Sequence, residues 1–299
     1  MDFSGLCAFP LTPVVHDDID WASFRQLIDK LRLANVNAIG VLGSTGCYPY
    51  FSPDERRQIL RVAVEAAGAT PVMVSISALR LKDVLSASEA AQKAGASAVM
   101  LSPQSYQPLN DDEVFHLYQS VCRQLSVPLC VYDNPRTTQF TFSDDLLQRI
   151  AELPNVQAIK IPPVSTVATV ARERITTLRA LLPAHIRLGI SGDACATEAL
   201  IAGCDLWCSV IGGLLPYQAG RIVAAVQKGE VAQARLLNAE LMPLWEMFSQ
   251  QGGSLRVVAA AAELLGEAQP GCLPQPLQSL QGAPREALRE WLLSLASRA

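Results

Sequence analysis

The sequence has little charge, few aromatic residues and few histidines. Charged residues make up 17% of its 299 residues, aromatic residues make up 6%, and there are three histidines. Lys plus Arg number 24 against 28 Asp plus Glu, which gives a formal net charge of −4, and the basic residues form no cluster. This balance argues against a nucleic-acid-binding protein. His16, His116 and His185 lie in unrelated contexts and form no metal-ligand pattern.

Long hydrophobic runs and a targeting segment are also missing. The longest apolar runs are far shorter than a membrane span. Residues 1–5 lack the basic stretch and apolar core of a signal peptide. We therefore expect a cytoplasmic protein without a membrane partner. Cys204 and Cys208 are four apart, but no nearby histidine or second cysteine pair completes a zinc pattern, so no metal site is expected.

What the sequence does contain is a regular alternation of short apolar runs and amphipathic segments. Apolar residues make up 50% of the chain, enough for one large domain or two ordinary ones. The apolar runs suit parallel strands that are covered on both faces by helices. The predicted strands are residues 6–11, 38–42, 72–77, 98–101, 129–132, 156–161, 186–190 and 206–210.

Helix signals lie between these strands. Ser52, Pro53 and Glu55 have the form of an N-cap, a first position and a third position, and Gly95 and Gly203 fall where helices should end. Further helices are predicted at residues 21–34, 54–67, 82–94, 111–125 and 216–228. From residue 229 the strand signal stops, and residues 231–248, 254–265 and 284–297 read as helices.

Eight evenly spaced β/α units predict a TIM (β/α)8 barrel, an α/β fold, over residues 1–228, with a C-terminal helical appendage over residues 229–299. A doubly wound open sheet is the competing fold, but the even spacing of eight units favours closure. Closure brings the carboxyl ends of all eight strands to one face, where the active sites of such barrels lie.

Polar residues follow several of these strand ends. The second strand runs into Gly-Ser-Thr-Gly at residues 43–46, the fifth ends at Tyr132, and the seventh runs into Ser-Gly-Asp at residues 191–193. Hydroxyls and backbone N–H groups of a glycine-rich turn can hold a carboxylate, and a phenol can donate and accept a proton. The strand ends therefore predict one site that contains these groups.

Lys160, in the sixth strand, adds an amine to this site. Ile159 and Ile161 flank it, and burial disfavours the charged form of an amine, so we expect a lowered pKa. A neutral lysine is a nucleophile towards carbonyl carbon, as Schiff-base chemistry requires. The sequence has no GxGxxG, Walker loop or Ser-His-Asp arrangement. An amine, a phenol and a hydroxyl-rich turn instead suit carbonyl chemistry through an imine.

Each of these features also has a purely structural explanation. Lys160 could end an ordinary strand with its ammonium in water, and Tyr132 could pack beneath the helices. The glycine-rich segment could be a tight turn, and residues 191–193 could start a helix. Their joint placement on strand ends of one barrel favours the functional interpretation.

At these positions the sequence resembles the dihydrodipicolinate synthase / N-acetylneuraminate lyase family of class I pyruvate-dependent aldolases, over about residues 3–225. The family's Gly-Thr-Thr-Gly-Glu turn matches residues 43–47, and its Tyr-Asn/Asp-x-Pro motif matches residues 132–135. Its Schiff-base lysine follows that tyrosine by 28 residues, the interval from Tyr132 to Lys160. Its Ser-Gly-Asp and Ile-Ser-Val motifs match residues 191–193 and 208–210.

The resemblance implies that Lys160 attacks the keto carbon of pyruvate, or of a 2-oxo acid that releases pyruvate. It implies that Ser44 and Thr45 hold the carboxylate through backbone N–H groups. Tyr132 would shuttle the proton, with Ser44 relaying to it. The pocket wall would be shaped by Cys208 and Gly192. No cofactor or metal is implied, and a homo-oligomer, either a dimer or a tetramer, is expected.

Four positions depart from the synthases of the family. Ser105 stands where they have a relay tyrosine, and Tyr106 is one residue further along. Thr137 stands where they have an arginine for the carboxylate of an aldehyde, and Arg136 is one residue early. Cys47 replaces the glutamate of the turn, and Ile161-Pro162-Pro163 replaces the family's usual Lys-Glu-Ala. These changes leave imine formation intact and put the second substrate in question.

Three functions follow from this reading. The first is a Schiff-base lyase acting on pyruvate or a small 2-oxo acid, by aldol cleavage, condensation or dehydration. The second is 4-hydroxy-tetrahydrodipicolinate synthase, which condenses pyruvate with aspartate semialdehyde. The third is an inactive barrel that binds a 2-oxo acid. Both enzymes predict a covalent adduct at Lys160, and the binding protein predicts none.

Overall fold

Eight parallel strands close into a barrel in the computed structural model, which describes residues 1–297 of the chain. The strands are β1 (Gly5–Ala8), β2 (Ala38–Val41), β3 (Val72–Ser75), β4 (Ala98–Leu101), β5 (Leu129–Tyr132), β6 (Val156–Ile161), β7 (Arg187–Ile190) and β8 (Leu206–Ser209). Neighbouring strands around the barrel are consecutive in sequence, and β1 pairs with both β2 and β8. The predicted (β/α)8 barrel is therefore confirmed, and the open sheet is excluded.

Helices surround the barrel and continue beyond it. They are α1 (Trp21–Leu33), α2 (Pro53–Ala67), α3 (Leu81–Lys93), α4 (Asp111–Cys122), α5 (Pro135–Thr138), α6 (Asp144–Ala151), α7 (Ala168–Leu181), α8 (Asp193–Ile201), α9 (Pro216–Gln227), α10 (Val231–Glu240), α11 (Met242–Gln250), α12 (Leu255–Leu264) and α13 (Gly282–Ala296). Helices α10 to α13 form the predicted C-terminal helical region, whose last two residues, 298 and 299, lie outside the described part. Among residues 1–297, no helix is long and apolar enough to cross a membrane.

The strands are buried on both faces because each face packs against a different layer. One set of side chains packs against the helices and belongs to the large outer core. The alternate set fills the barrel interior and includes Phe3, Cys7, Phe9, Met73, Met100, Cys130, Tyr132, Leu206 and Cys208. Period-two alternation along a strand produces this division. It decides which residues can reach a site inside the barrel.

The helix-end signals in the sequence are confirmed. The Ser52 hydroxyl accepts from the Glu55 N–H at 3.3 Å, and the Glu55 carboxylate accepts from the Ser52 N–H at 2.7 Å, which forms a capping box at the start of α2. Gly95 and Gly203 follow α3 and α8 with φ of 84° and 111°. Positive φ at these positions favours glycine.

Two local features differ from the expectation. The single helix predicted at residues 231–248 is two helices that meet at Leu241, because Pro243 has no N–H to donate and its ring clashes with the preceding turn. The structure also contains a short antiparallel hairpin, Val14–Val15 with Asp18–Ile19, which the sequence did not predict. Its strands are only two residues long, too short for a periodic pattern to show.

Candidate active site

Lys160 lies inside the barrel, near the carboxyl end of β6. It pairs with Tyr132 of β5 and Gly189 of β7, and 6% of the residue is exposed. Its Nζ lies 4.1 Å from the ring centroid of Phe9 and 4.1 Å from that of Tyr132. The amine is thus held between two aromatic rings, a geometry that favours a cation over the ring faces.

The dry surroundings of the amine do not come from Ile159 and Ile161, as the sequence suggested. Both isoleucines belong to the core between barrel and helices, because neighbours of an inward-facing residue point outward along a strand. The interior residues Phe9, Tyr132 and Cys208 come from other strands or the segments that follow them. Burial of Lys160 is therefore a property of the closed barrel.

Burial is the largest influence on the pKa of Lys160, and it lowers this pKa because the ammonium loses its hydration. Negative charge on Tyr132, Cys208, Cys130 and Cys7 raises the pKa, and the net direction is upward, opposite to the expectation from the sequence. The thiols act only when ionised, and burial raises the pKa of Cys208 to about 11 and also raises those of Cys130 and Cys7. The three thiols therefore add little negative charge at neutral pH. Burial then favours the neutral amine, against Tyr132 and the two aromatic ring faces, which favour the charged form.

The Tyr132 phenol lies at the centre of a small hydrogen-bond network. Its oxygen is 3.3 Å from the Ser44 Oγ, and either hydroxyl can be the donor. It also accepts a hydrogen bond of 2.8 Å from the Asn134 side-chain amide. Tyr132 ends β5 and Ser44 follows β2, so barrel closure brings them together. The phenol can exchange a proton with Ser44 beside the Lys160 amine.

Ser44 and Thr45 lie in the predicted turn after β2. Ser44 is half-buried and Thr45 is buried. The turn is tight, because the Cys47 N–H donates to the Ser44 carbonyl at 3.2 Å, and Leu42 and Cys47 have φ of 55° and 51°. Within residues 1–297 no intramolecular acceptor meets the backbone N–H of Ser44 or Thr45. Two neighbouring donors of this kind can bind a carboxylate.

Cys208 and Gly192 occupy different parts of the strand-end face. Cys208 is buried in the interior beside Cys7 of β1, and its Sγ is 3.3 Å from the position of a Cβ added to Gly189. Gly192 has φ of 83°, and a Cβ there would lie 2.7 Å from the Pro163 side chain. Glycine is therefore required at residue 192 both for its conformation and for space. Cys208 faces the same cluster as Tyr132.

Asp193, which completes the Ser-Gly-Asp motif, holds the end of β8 in place. Its carboxylate accepts from the Trp207 indole at 2.9 Å and from the Ser209 hydroxyl at 3.1 Å. It also accepts from the backbone N–H of Val210 at 3.2 Å and of Ile211 at 2.8 Å. Buried carboxylates need such partners. This residue is structural and shapes the barrel mouth.

The two residues in question for a second substrate, Tyr106 and Arg136, have exposed side chains. Tyr106 is 89% exposed. Arg136 is exposed, and its guanidinium donates to the Gly252 carbonyl at 2.7 Å. In this chain neither side chain makes a hydrogen bond to Tyr132, Ser44 or Lys160 within the described residues. The sequence assigned no role to Phe9 or to Asn134, because their contacts with Lys160 and Tyr132 depend on the three-dimensional structure.

The described residues provide no set of metal ligands. Among residues 1–297, no group of three or more His, Cys, Asp and Glu side chains is arranged to hold a metal ion. All eight cysteines are free and buried. The polar groups around the amine are hydroxyls, backbone N–H groups and one amide. They can bind an anion and move a proton.

Comparison with known proteins agrees with this geometry. Residues 2–294 match the dihydrodipicolinate synthetase family. A 4-hydroxy-tetrahydrodipicolinate synthase from Thiobacillus denitrificans is 29% identical over 93% of this chain and 92% of its own length, and one from Salinibacter ruber is 32% identical over 81% and 80%. The crystal structure of a dihydrodipicolinate synthase from Agrobacterium tumefaciens is 39% identical, covers 98% of both chains and superposes with a TM-score of 0.93.

The fold and the matches define an enzyme of the class I aldolase and lyase type, built on a (β/α)8 barrel. The chain belongs to the dihydrodipicolinate synthetase family.

Proposed function

We propose that the protein is a Schiff-base lyase that acts on pyruvate or a small 2-oxo acid, by aldol cleavage, condensation or dehydration. The observation that carries the proposal is the position of the Lys160 amine, buried in the barrel and 4.1 Å from the ring of Tyr132. The phenol of Tyr132 lies within reach of the Ser44 hydroxyl. An amine beside a proton donor and acceptor is what imine formation requires.

In this proposal the substrate carboxylate binds the backbone N–H groups of Ser44 and Thr45. Neutral Lys160 attacks the keto carbon and forms a carbinolamine. The Tyr132 phenol gives its proton to the carbinolamine hydroxyl, water leaves, and a protonated imine remains. The protonated imine then withdraws electrons from the adjacent carbon, so a C–C bond to that carbon can break, or the carbon can lose a proton, and either step gives an enamine without a metal. The enamine can add to a carbonyl group, or it can expel a hydroxyl group one carbon further on. Cys208 is proposed as part of the apolar wall beside the carbon adjacent to the imine, and Gly192 as part of the barrel mouth.

Reduction with borohydride in the presence of pyruvate tests the proposal. Hydride fixes an imine as a stable secondary amine, so the intact mass of the wild type should increase. Lys160→Ala should show no such adduct, because it has no amine in the barrel. Lys93→Ala is the matched control, since Lys93 is an exposed lysine on α3 whose side chain is 75% accessible. It should trap pyruvate like the wild type.

Two outcomes would contradict the proposal. An adduct that persists in Lys160→Ala would place the imine on another amine. A wild type that traps neither pyruvate nor any other 2-oxo acid tested would favour the inactive binding barrel. Circular dichroism of Lys160→Ala should match that of the wild type, so that loss of the adduct cannot be assigned to unfolding.

The name of the curated relatives favours a second candidate, 4-hydroxy-tetrahydrodipicolinate synthase. This enzyme also forms an imine with pyruvate. It differs from the general lyase in the second substrate, which is the electrophile aspartate semialdehyde. The exposed positions of Arg136 and Tyr106 give this candidate less support than the general lyase. Consumption of pyruvate with aspartate semialdehyde, compared with pyruvate release from a panel of 2-oxo acids, separates the two.

We also propose a homo-oligomer, a dimer or a tetramer, in the cytoplasm. Exposed large apolar side chains, among them Tyr50, Leu79 and Tyr106, support a further protein contact. Light scattering coupled to gel filtration measures the mass directly.

A further inference from the structure

We propose that Asn134 is a positioning residue for the Tyr132 phenol, directing the phenol's proton towards Ser44 and the substrate and stabilising the phenolate that remains after proton transfer. The inference rests on the proposed function, because it assigns Asn134 a part in the same imine formation. It concerns the hydrogen bond of 2.8 Å that the Asn134 amide donates to the Tyr132 oxygen.

The backbone around Asn134 indicates that its side chain has a specific task. Asn134 precedes Pro135 and occupies the N-cap position of the short helix α5. Asparagine at an N-cap usually accepts a hydrogen bond from the helix backbone. Here the side chain makes no cap hydrogen bond and instead points its amide nitrogen at Tyr132 and at the Thr137 Oγ1, 2.6 Å away. The Asn134 side chain therefore bonds to the Tyr132 phenol and not to the backbone N–H groups at the start of α5.

The second contact, with Thr137, is consistent with the amide nitrogen facing Tyr132. The Thr137 hydroxyl has one proton, and its geometry allows it to donate this proton to the backbone carbonyl of Asn134 at 3.5 Å. The structure places the amide nitrogen on the side of Thr137, so the Thr137 oxygen accepts from the amide at 2.6 Å. The same nitrogen faces Tyr132, so the phenol oxygen is an acceptor in that hydrogen bond. Its own proton is left for the Ser44 oxygen at 3.3 Å or for a bound substrate.

This polarity has a consequence for the proton-transfer step. When the carbinolamine loses its hydroxyl, the C–O bond breaks, the phenol proton completes the leaving water, and the phenol becomes a phenolate beside the cationic imine. The Asn134 N–H then donates to an anion. Hydrogen bonds to ionised acceptors are shorter and about twice as strong as neutral ones. The amide therefore stabilises the product of the proton transfer more than the resting phenol, which is the condition for accelerating a step.

The test compares the rate of imine formation with pyruvate in the wild type, Asn134→Val and Asn134→Asp, measured as borohydride-trapped adduct against time over a pH series. Valine removes the donor, and aspartate keeps the shape but cannot donate when ionised. We expect both to slow imine formation about 10- to 100-fold, the range of a hydrogen bond to a charged group. The alkaline limb of the pH–rate profile of Asn134→Val should move to higher pH, with a change in KM for pyruvate of less than threefold.

Thr138→Val is the matched control. The Thr138 hydroxyl donates to the Asn134 carbonyl at 2.9 Å, so this variant removes a hydrogen bond of the same loop without touching the amide. It should keep the pH profile of the wild type. If Asn134→Val does not fold, the comparison of Asn134→Asp with the wild type tests the inference.

An unchanged rate and pH profile in both Asn134 variants would overturn the inference, as would an equal effect of Thr138→Val. Neither result resembles failure of the proposed function, in which the wild type itself would give no adduct. A wild type that traps pyruvate therefore allows the role of Asn134 to be judged on its own.

Discussion

At the scale of single residues, Tyr132 and Asp133 are neighbours in the chain but face opposite sides of the barrel wall. Tyr132 belongs to the interior cluster. Asp133 lines a cavity of about 240 Å³ outside the barrel, together with Leu147, Ile161 and Arg174. Asp133 is 5% exposed, and its Oδ1 is buried without a hydrogen-bond partner among residues 1–297. Burial raises the pKa of its carboxyl to about 6, and Arg174 opposes this rise.

We predict that Asp133→Asn stabilises the protein at pH 8 and not at pH 4. Because the pKa of Asp133 in the folded state lies above its ordinary value of 3.8, the folded state favours the protonated acid. The stability from this group is complete below about pH 4 and is lost as the pH rises through 6. A tenfold change in proton affinity is worth about 1.4 kcal/mol, which limits the gain to about 3 kcal/mol, and about 1 kcal/mol is expected because the new amide also needs partners. Urea unfolding of both proteins across this pH range measures the difference in their free energy of unfolding.

Asp144→Asn provides a comparison with the opposite slope. Its carboxylate accepts two hydrogen bonds from Arg174, at 2.8 and 2.7 Å, which hold the pKa of Asp144 below its ordinary value. Stability from this group is present above its unfolded pKa and is lost as the pH falls. The loss in Asp144→Asn should therefore shrink towards low pH. A pH-independent difference between Asp133→Asn and the wild type would show that Asp133 does not titrate near 6.

At the scale of elements, β2 packs closely against the segment after β1, because Gly40 in β2 has no side chain. A Cβ added at Gly40 in β2 would lie 2.4 Å from the Cζ of Phe9. Phe9 in turn covers the Lys160 amine. Glycine at residue 40 therefore makes room for the ring that forms one wall of the site.

We predict that Gly40→Ala lowers the free energy of unfolding by about 1–3 kcal/mol, the usual cost of overpacking a core. It should also slow adduct formation with pyruvate, because the Phe9 ring must move relative to Lys160. The pair Gly40→Ala with Phe9→Leu should lose less stability than the sum of the two single changes, since the smaller side chain makes room for the methyl group. Chemical unfolding of the four proteins gives this coupling.

Gly220→Ala in α9 is the control, because a Cβ there meets no atom within 4 Å. It should be neutral or slightly stabilising, as alanine is the better helix former. Strict additivity of the Gly40 and Phe9 changes would contradict direct contact between the two positions.

These examples show what the sequence can and cannot predict. The strands and their polar ends are local patterns, so the barrel and the meeting of Lys160, Tyr132 and Ser44 followed from period and spacing. Phe9 could not be assigned to the site, because its contact with Lys160 depends on how the closed barrel brings distant segments together. The donor polarity of Asn134 likewise depends on side-chain geometry, for which no sequence pattern exists.

At the scale of the whole molecule, the C-terminal helical region is tied to the barrel at several points. Lys30 of α1 donates to the Leu214 carbonyl at 2.6 Å and pairs with Glu267. The Val14 N–H of the hairpin donates to the Cys272 carbonyl at 3.0 Å. Arg136 links the loop after β5 to the Gly252 carbonyl. The loop that carries Asn134 therefore rests on the C-terminal region.

This link leads to a prediction for Arg136→Ala. If the guanidinium holds the loop and does not bind substrate, the variant should lose about 1 kcal/mol of stability, the contribution of one charge-assisted hydrogen bond at an exposed position. Pyruvate trapping at Lys160 should change by less than threefold. Arg172→Ala, at an exposed arginine of α7, is the matched control and should leave both quantities unchanged.

A tenfold or larger rise in KM for aspartate semialdehyde in Arg136→Ala alone would contradict the structural role. It would show that Arg136 leaves the Gly252 carbonyl to bind a carboxylate, and it would favour 4-hydroxy-tetrahydrodipicolinate synthase over the general lyase.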